Sequence, residues 1–153
     1  SMMGMFQKVG IVATPLIILI ATAAIAGLMA GLSSMMDVKT SFQQMFTLLS
    51  YCSLITTLQA AASAVVILAK AGQLQSMQEL QPPFGLDLVL TETSKPVWAI
   101  LHYFSIFTIW YLVILTLAYA FLTGSSKTKA VMAITPAWVI SLMFAVIGAL
   151  FQK

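Results

Sequence analysis

The sequence has no arginine, one histidine and one cysteine, and its charged side chains amount to seven lysines and four carboxylates. Charged residues make up 7% of the chain, against about 25% in soluble domains. Each shortage excludes something. Seven scattered lysines without arginine do not form the basic stripe that a nucleic acid requires. A lone cysteine, Cys52, excludes an internal disulfide. His102 has Ser105 nearby but no carboxylate in any span to complete a hydrolytic triad, so a histidine hydrogen-bonded near the interface is the expectation. Metal-ligand and phosphate-loop spacings are missing. Apart from His102, no ionisable group lies within a span, which argues against an ion-coupled pump. No catalytic residue, cofactor or metal is expected.

What is present is apolar length. Hydrophobic residues make up 61% of the chain, and charge-free runs cover Val9 to Met36, Thr40 to Ala69, Pro96 to Ser126 and Ala130 to Gln152. Each exceeds the roughly 18 residues at which a membrane-spanning helix becomes the default. A soluble helix would need charge on its solvated face. The expected fold is all-α: a polytopic transmembrane helical bundle, one integral membrane domain over 1–153. Its four spans cover about 9–32, 42–69, 96–122 and 130–151. Lys8 and "AIA" at 24–26 superficially suit a signal peptide, but the apolar run continues past any cleavage point.

Punctuation within the chain refines this outline. Ala23, Gly27 and Gly31 recur every four residues, so they share a helix face on which a neighbouring backbone can approach closely. Ser41 and Gln44 have the spacing of a capping box at the start of span two. Leu74, Met77 and Leu80 predict a short amphipathic helix in the 71–95 connection, lying at the membrane surface. Glu79, Asp87 and Glu92 in that connection read as a solvated loop. Span three is rich in aromatics, with Trp98 and Tyr119 placed for an interfacial belt and Phe107 and Trp110 deeper and packed. Span four should kink or unwind near Pro136, and Ser141, Ala145 and Ala149 give it a small-residue face.

Span two carries unusual polarity in "SYCSLITTLQ", residues 50–59. At about 100° per residue, Cys52, Thr56, Gln59 and Ser63 share one sector. Ser50, Ser53, Thr57, Ala60 and Ala64 occupy the sector beside it. Tyr51, Leu54, Ile55, Leu58, Ala62 and Val65 form the lipid-type side. Exposing the Gln59 amide to hydrocarbon would cost several kcal/mol, on the order of an unsatisfied amide. That residue must therefore face protein or water. Gly27, Gly31, Ser50, Cys52, Ser53, Thr56, Thr57, Gln59 and Ser63 are the candidate residues for helix packing or for lining a path.

With this pattern in view, the chain resembles the Ypt/Rab-interacting protein (Yip) domain family, particularly its bacterial members. "SFQQMFTLLSYCSLITTL" at 41–58 is similar to the family's serine-led second segment, and "FGLD" at 84–87 to its external loop. "SIFTIWYLVILTLAYAFLTGSSKTKAV" at 105–131 is similar to its aromatic-start helix, basic turn and following span, and "TPAW" at 135–138 to the start of the last helix. Ile55 stands where the family has a proline. The family has five spans, and "SMMGMFQKVG" reads like the linker after a first span that is absent here. Small-GTPase recognition, which in eukaryotic relatives uses a cytosolic segment before that span, is therefore not expected. The resemblance implies a non-enzymatic, membrane-organising or accessory protein of a bacterial inner membrane, acting with lipids and with other membrane proteins or copies of itself. The alternative is a transport subunit whose span-two polar face lines a path for a lipid or small solute. Lys39, Lys127 and Lys129 place the 37–40 and 123–129 turns in the cytoplasm by the positive-inside rule.

Overall fold

The computed structural model describes residues 2–69, 84–86 and 94–151, and these form five α-helices. They are α1 (Met2–Met35), α2 (Phe42–Ala69), α3 (Lys95–Tyr103), α4 (Ile106–Thr123) and α5 (Lys127–Phe151). Four segments are long and apolar enough to cross a bilayer: Ala13–Met35, Phe42–Ala69, Ile106–Thr123 and Lys127–Gly148. The all-helical, four-span expectation holds. The start of α1 differs, since the helix runs unbroken from Met2 through Pro15 and takes in the residues read as a linker. The amphipathic helix expected within 71–95 lies outside the described residues.

The third span also departs from expectation. Its sequence predicts one helix over 96–122, but α3 and α4 are parted at Phe104 and Ser105. Ser105 is the reason: it takes an extended conformation (φ −89°, ψ 160°), and its Oγ accepts the Thr108 amide at 3.1 Å, capping α4. Such a break leaves backbone groups without their helical partners. Phe84–Leu86 supplies replacements. Ile106 N donates to Phe84 O at 3.3 Å, and Leu86 N donates to Phe104 O at 3.3 Å. Gly85 thus bridges Ser105 in antiparallel fashion, and the Phe84 ring meets Phe107 edge-on at 5.2 Å. In α5, by contrast, Pro136 sits inside a continuous helix, so no unwinding occurs there.

Helices α1, α2, α4 and α5 form a closed ring in that order, with α3 packed on α5. The core includes Ala26, Met29, Met45, Leu49, Cys52, Leu115, Tyr119, Ala130 and Ala133. These cluster toward the end that holds the two short turns. The close-approach residues are therefore Ala26, Ala130 and Ala133. Two polar contacts reinforce that end. Ser33 Oγ donates to Met29 O at 2.6 Å and also pairs with the Tyr119 hydroxyl at 2.5 Å, both side chains being fully buried. Lys129 Nζ donates to Met36 O at 3.0 Å, placing a cation at the negative end of the α1 dipole.

Both turns contain a left-handed residue, Asp37 (φ 57°) and Gly124 (φ 63°). Gly124 ends α4, where a side chain would cost roughly 1–2 kcal/mol. Gly124→Ala should therefore lower the unfolding midpoint in detergent. Tyr119→Phe should cost about 0.6–1.7 kcal/mol, the range of interhelical hydrogen bonds in membranes, because Ser33 keeps the Met29 carbonyl. Thermal unfolding of the purified variants measures both.

Candidate functional site on the second span

The start of α2 follows from its first four residues. Ser41 N donates to Gln44 Oε1 at 3.0 Å and Gln44 N donates to Ser41 Oγ at 3.2 Å, a reciprocal capping box as the spacing predicts. From there α2 turns Met45, Leu48, Leu49, Cys52, Ile55 and Ser63 into the bundle. The sector of Cys52, Thr56, Gln59 and Ser63 thus faces inward in part: Cys52 and Ser63 are buried, Gln59 is half-buried and Thr56 is exposed. Ile55, expected on the lipid side, is buried at the edge of the inward arc. Ser50 and Thr57 are exposed and Ser53 half-buried, so the second sector points away from the core.

The hydroxyls on this helix are satisfied locally. Ser50 donates to Phe46 O at 2.8 Å, Ser53 to Ser50 O at 2.6 Å and Thr56 to Ser53 O at 2.6 Å. Thr57 donates to Ser53 O at 3.2 Å and Ser63 to Gln59 O at 2.7 Å. A hydroxyl bonded to its own helix needs no water to keep its proton paired. Gln59 is different: its side-chain amide, with two N–H donors and an acceptor oxygen, has no hydrogen bond among the described residues. It sits about 5 Å beyond the midpoint of α2, deep within the span.

Gly27 and Gly31 are exposed on α1, and a Cβ added at either would meet nothing within 4 Å. Their face is thus not a seam inside the bundle; it lies on the outer surface. Several packing features escaped the sequence. Tyr119, expected in an interfacial belt, is fully buried against Ser33. Trp110, expected to pack, is 45% exposed. Tyr103 reaches Ser141 at 2.6 Å, which uses the small-residue face of α5. The signal for Ser105 was present in its type: a serine followed three residues on by a threonine can cap a helix start.

No hydrolytic pair forms at the break. Ser105 Oγ bonds Thr108 Oγ1 at 3.0 Å, while His102 stacks on Trp98 with ring centres 4.9 Å apart. Among the described residues, no group of three or more His, Cys, Asp or Glu side chains could hold a metal. Cys52, only 3% exposed, lies within the packed core. A water-soluble thiol reagent should therefore label it slowly in intact membranes and readily after denaturation. Rapid labelling in intact membranes would instead mean a wet face.

The whole arrangement can be set beside known proteins. The family model described as Yip1 domain matches residues 1–149. No curated protein and no solved structure matches the chain. With four apolar helices able to span a membrane and a match over nearly its full length, the chain belongs to the Yip1 domain family.

Proposed function

We propose that this Yip1-family membrane protein is a non-enzymatic accessory or scaffold protein that acts through other membrane proteins or copies of itself. Its membrane would be a bacterial inner membrane, with the lysine-bearing turns facing the cytoplasm and lipids covering the remaining surface. The observation that carries this reading is the Gln59 amide, half-buried deep in α2 without a hydrogen bond among the described residues. Left in hydrocarbon, such a group costs roughly 4–8 kcal/mol by water-to-alkane transfer. A polar group on a neighbouring protein would remove that cost. Gly27 and Gly31 on the outer surface of α1 add room for a close backbone approach.

The transport reading needs α2 to line a wet route. Its hydroxyls are spent on their own helix, and Cys52 and Leu49 are packed in the core. Those features favour a dry docking face over a path.

Two variants test the proposal. Gln59→Leu should keep or raise the unfolding midpoint of the isolated chain while lowering the mass of the assembly recovered in mild detergent. Gly27→Leu, which has open space around its new side chain, should do the same. Assemblies of unchanged mass in both variants would contradict the proposed role.

A further inference from the structure

Two hollows on the outer surface adjoin at the start of α2. One, of about 700 Å³, opens at the α1–α2 turn, where Ser34, Asp37, Lys39, Ser41 and Gln44 give it a polar lining. The other, of about 450 Å³, is a groove between α2 and α4. Gln43 and Thr47 stand on its turn side, and Leu48, Tyr51, Ala118 and Phe121 supply apolar walls. Ser41 and Gln44 border both hollows. From Ser41 to Tyr51 helix α2 rises about 15 Å, half of a hydrocarbon core about 30 Å thick. The combined surface thus has the depth of one leaflet, polar at the turn and apolar toward the midplane.

The polar hollow holds one charge of each sign. Asp37 and Lys39 are both exposed, and among the described residues neither makes an ion pair. Lys127 and Lys129 line neither hollow, and Lys129 is bonded to Met36 O. The capping box uses Gln44 Oε1 and Ser41 Oγ as acceptors, which leaves the Gln44 Nε2 hydrogens and the Ser41 hydroxyl proton to donate outward. Leading out of the apolar groove along the chain, the order is therefore neutral donors, then a cation, then a carboxylate.

We propose that this surface seats one zwitterionic aminophospholipid, of the phosphatidylethanolamine class, from the leaflet beside the lysine-bearing turns. An acyl chain lies in the α2–α4 groove against Leu48, Ala118 and Phe121. Ser41 and Gln44 donate to the ester oxygens, Lys39 Nζ donates to the phosphate, and the primary ammonium donates to the Asp37 carboxylate. Hydrogen bonds between charged groups are the strong ones, and this headgroup answers both charges of the hollow. An anionic glycerol headgroup leaves Asp37 facing like charge, and a trimethylammonium has no N–H to donate. The seat lies on the outside of the helix ring, so it requires neither a route through α2 nor a protein partner at Gln59.

The test is native mass spectrometry of the full chain in mild detergent, with phosphatidylethanolamine, phosphatidylcholine and phosphatidylglycerol of identical acyl chains. Phosphatidylethanolamine should be retained about tenfold more strongly than the other two, the yield of one hydrogen bond to a charged group. Equal retention of all three, or preference for either other lipid, overturns the proposal. Asp37→Asn keeps a residue type that tolerates the left-handed backbone of this turn. It should erase the preference for phosphatidylethanolamine over phosphatidylcholine, and a preference that persists overturns the proposal. A second measurement needs no variant. Phosphatidylethanolamine with a photoactivatable acyl chain should label the wild-type chain at peptides containing Tyr51 and Phe121, whereas labelling spread evenly over the four spans overturns the proposal.

Discussion

A peptide group inside a bilayer has no water to bond, so each must find its partner within the protein. The third span shows how far this demand shapes the chain. Once Ser105 turns extended to cap α4, the backbone at Phe104 and Ile106 needs partners from elsewhere. Phe84 and Leu86 provide them, which holds a loop against the membrane-spanning bundle. The same break frees α3 to pack on α5, where Tyr103 meets Ser141. Helix α4 alone is about 27 Å long, nearly the depth of the hydrocarbon core. The interruption therefore falls toward the end opposite the lysine-bearing turns, where a loop can reach it.

Packing answers to a second constraint. Lipid tails are as apolar as leucine, so association within the membrane relies on close contact and on hydrogen bonds. This bundle concentrates both at one end. Ala26, Ala130 and Ala133 allow close approach, Tyr119 joins Ser33, and Lys129 ties the turn after α1 to the start of α5. In the most apolar stretch of each span, only 11% to 22% of the residues are fully buried within the chain. Much of the remaining surface is half-buried or exposed, and its exposed part faces lipid or another protein. On that outer surface the ordinary leucines and isoleucines suit lipid, whereas Gly31, Thr57 and the half-exposed Gln59 do not follow the same pattern.

What could be read from sequence was whatever depends on composition, spacing and local chemistry. The four spans follow from charge-free length, and the Ser41–Gln44 box from a three-residue interval. The helical wheel of α2 brought Cys52 and Ser63 to one inward face. The failures share a different cause. Tyr119 and Gly27 have positions near a span end and in a small-residue repeat that fit two environments equally well. Which one each occupies depends on the rotation of its helix about its own axis, a property set by neighbours. Ile55 was misplaced for the same reason, since one step around the wheel separates lipid from core. The break at Ser105 was hidden because its backbone is completed by Phe84 and Leu86, some twenty residues away.

The central claim is that the polar and small faces of α1 and α2 meet protein while their leucine faces meet lipid. Site-specific photo-crosslinking in intact membranes tests it most directly, with a benzophenone side chain placed at Thr57 in one variant and at Leu54, 64% exposed, in another. The account predicts a protein adduct from position 57 and lipid adducts alone from position 54. Lipid adducts alone from both positions would contradict it.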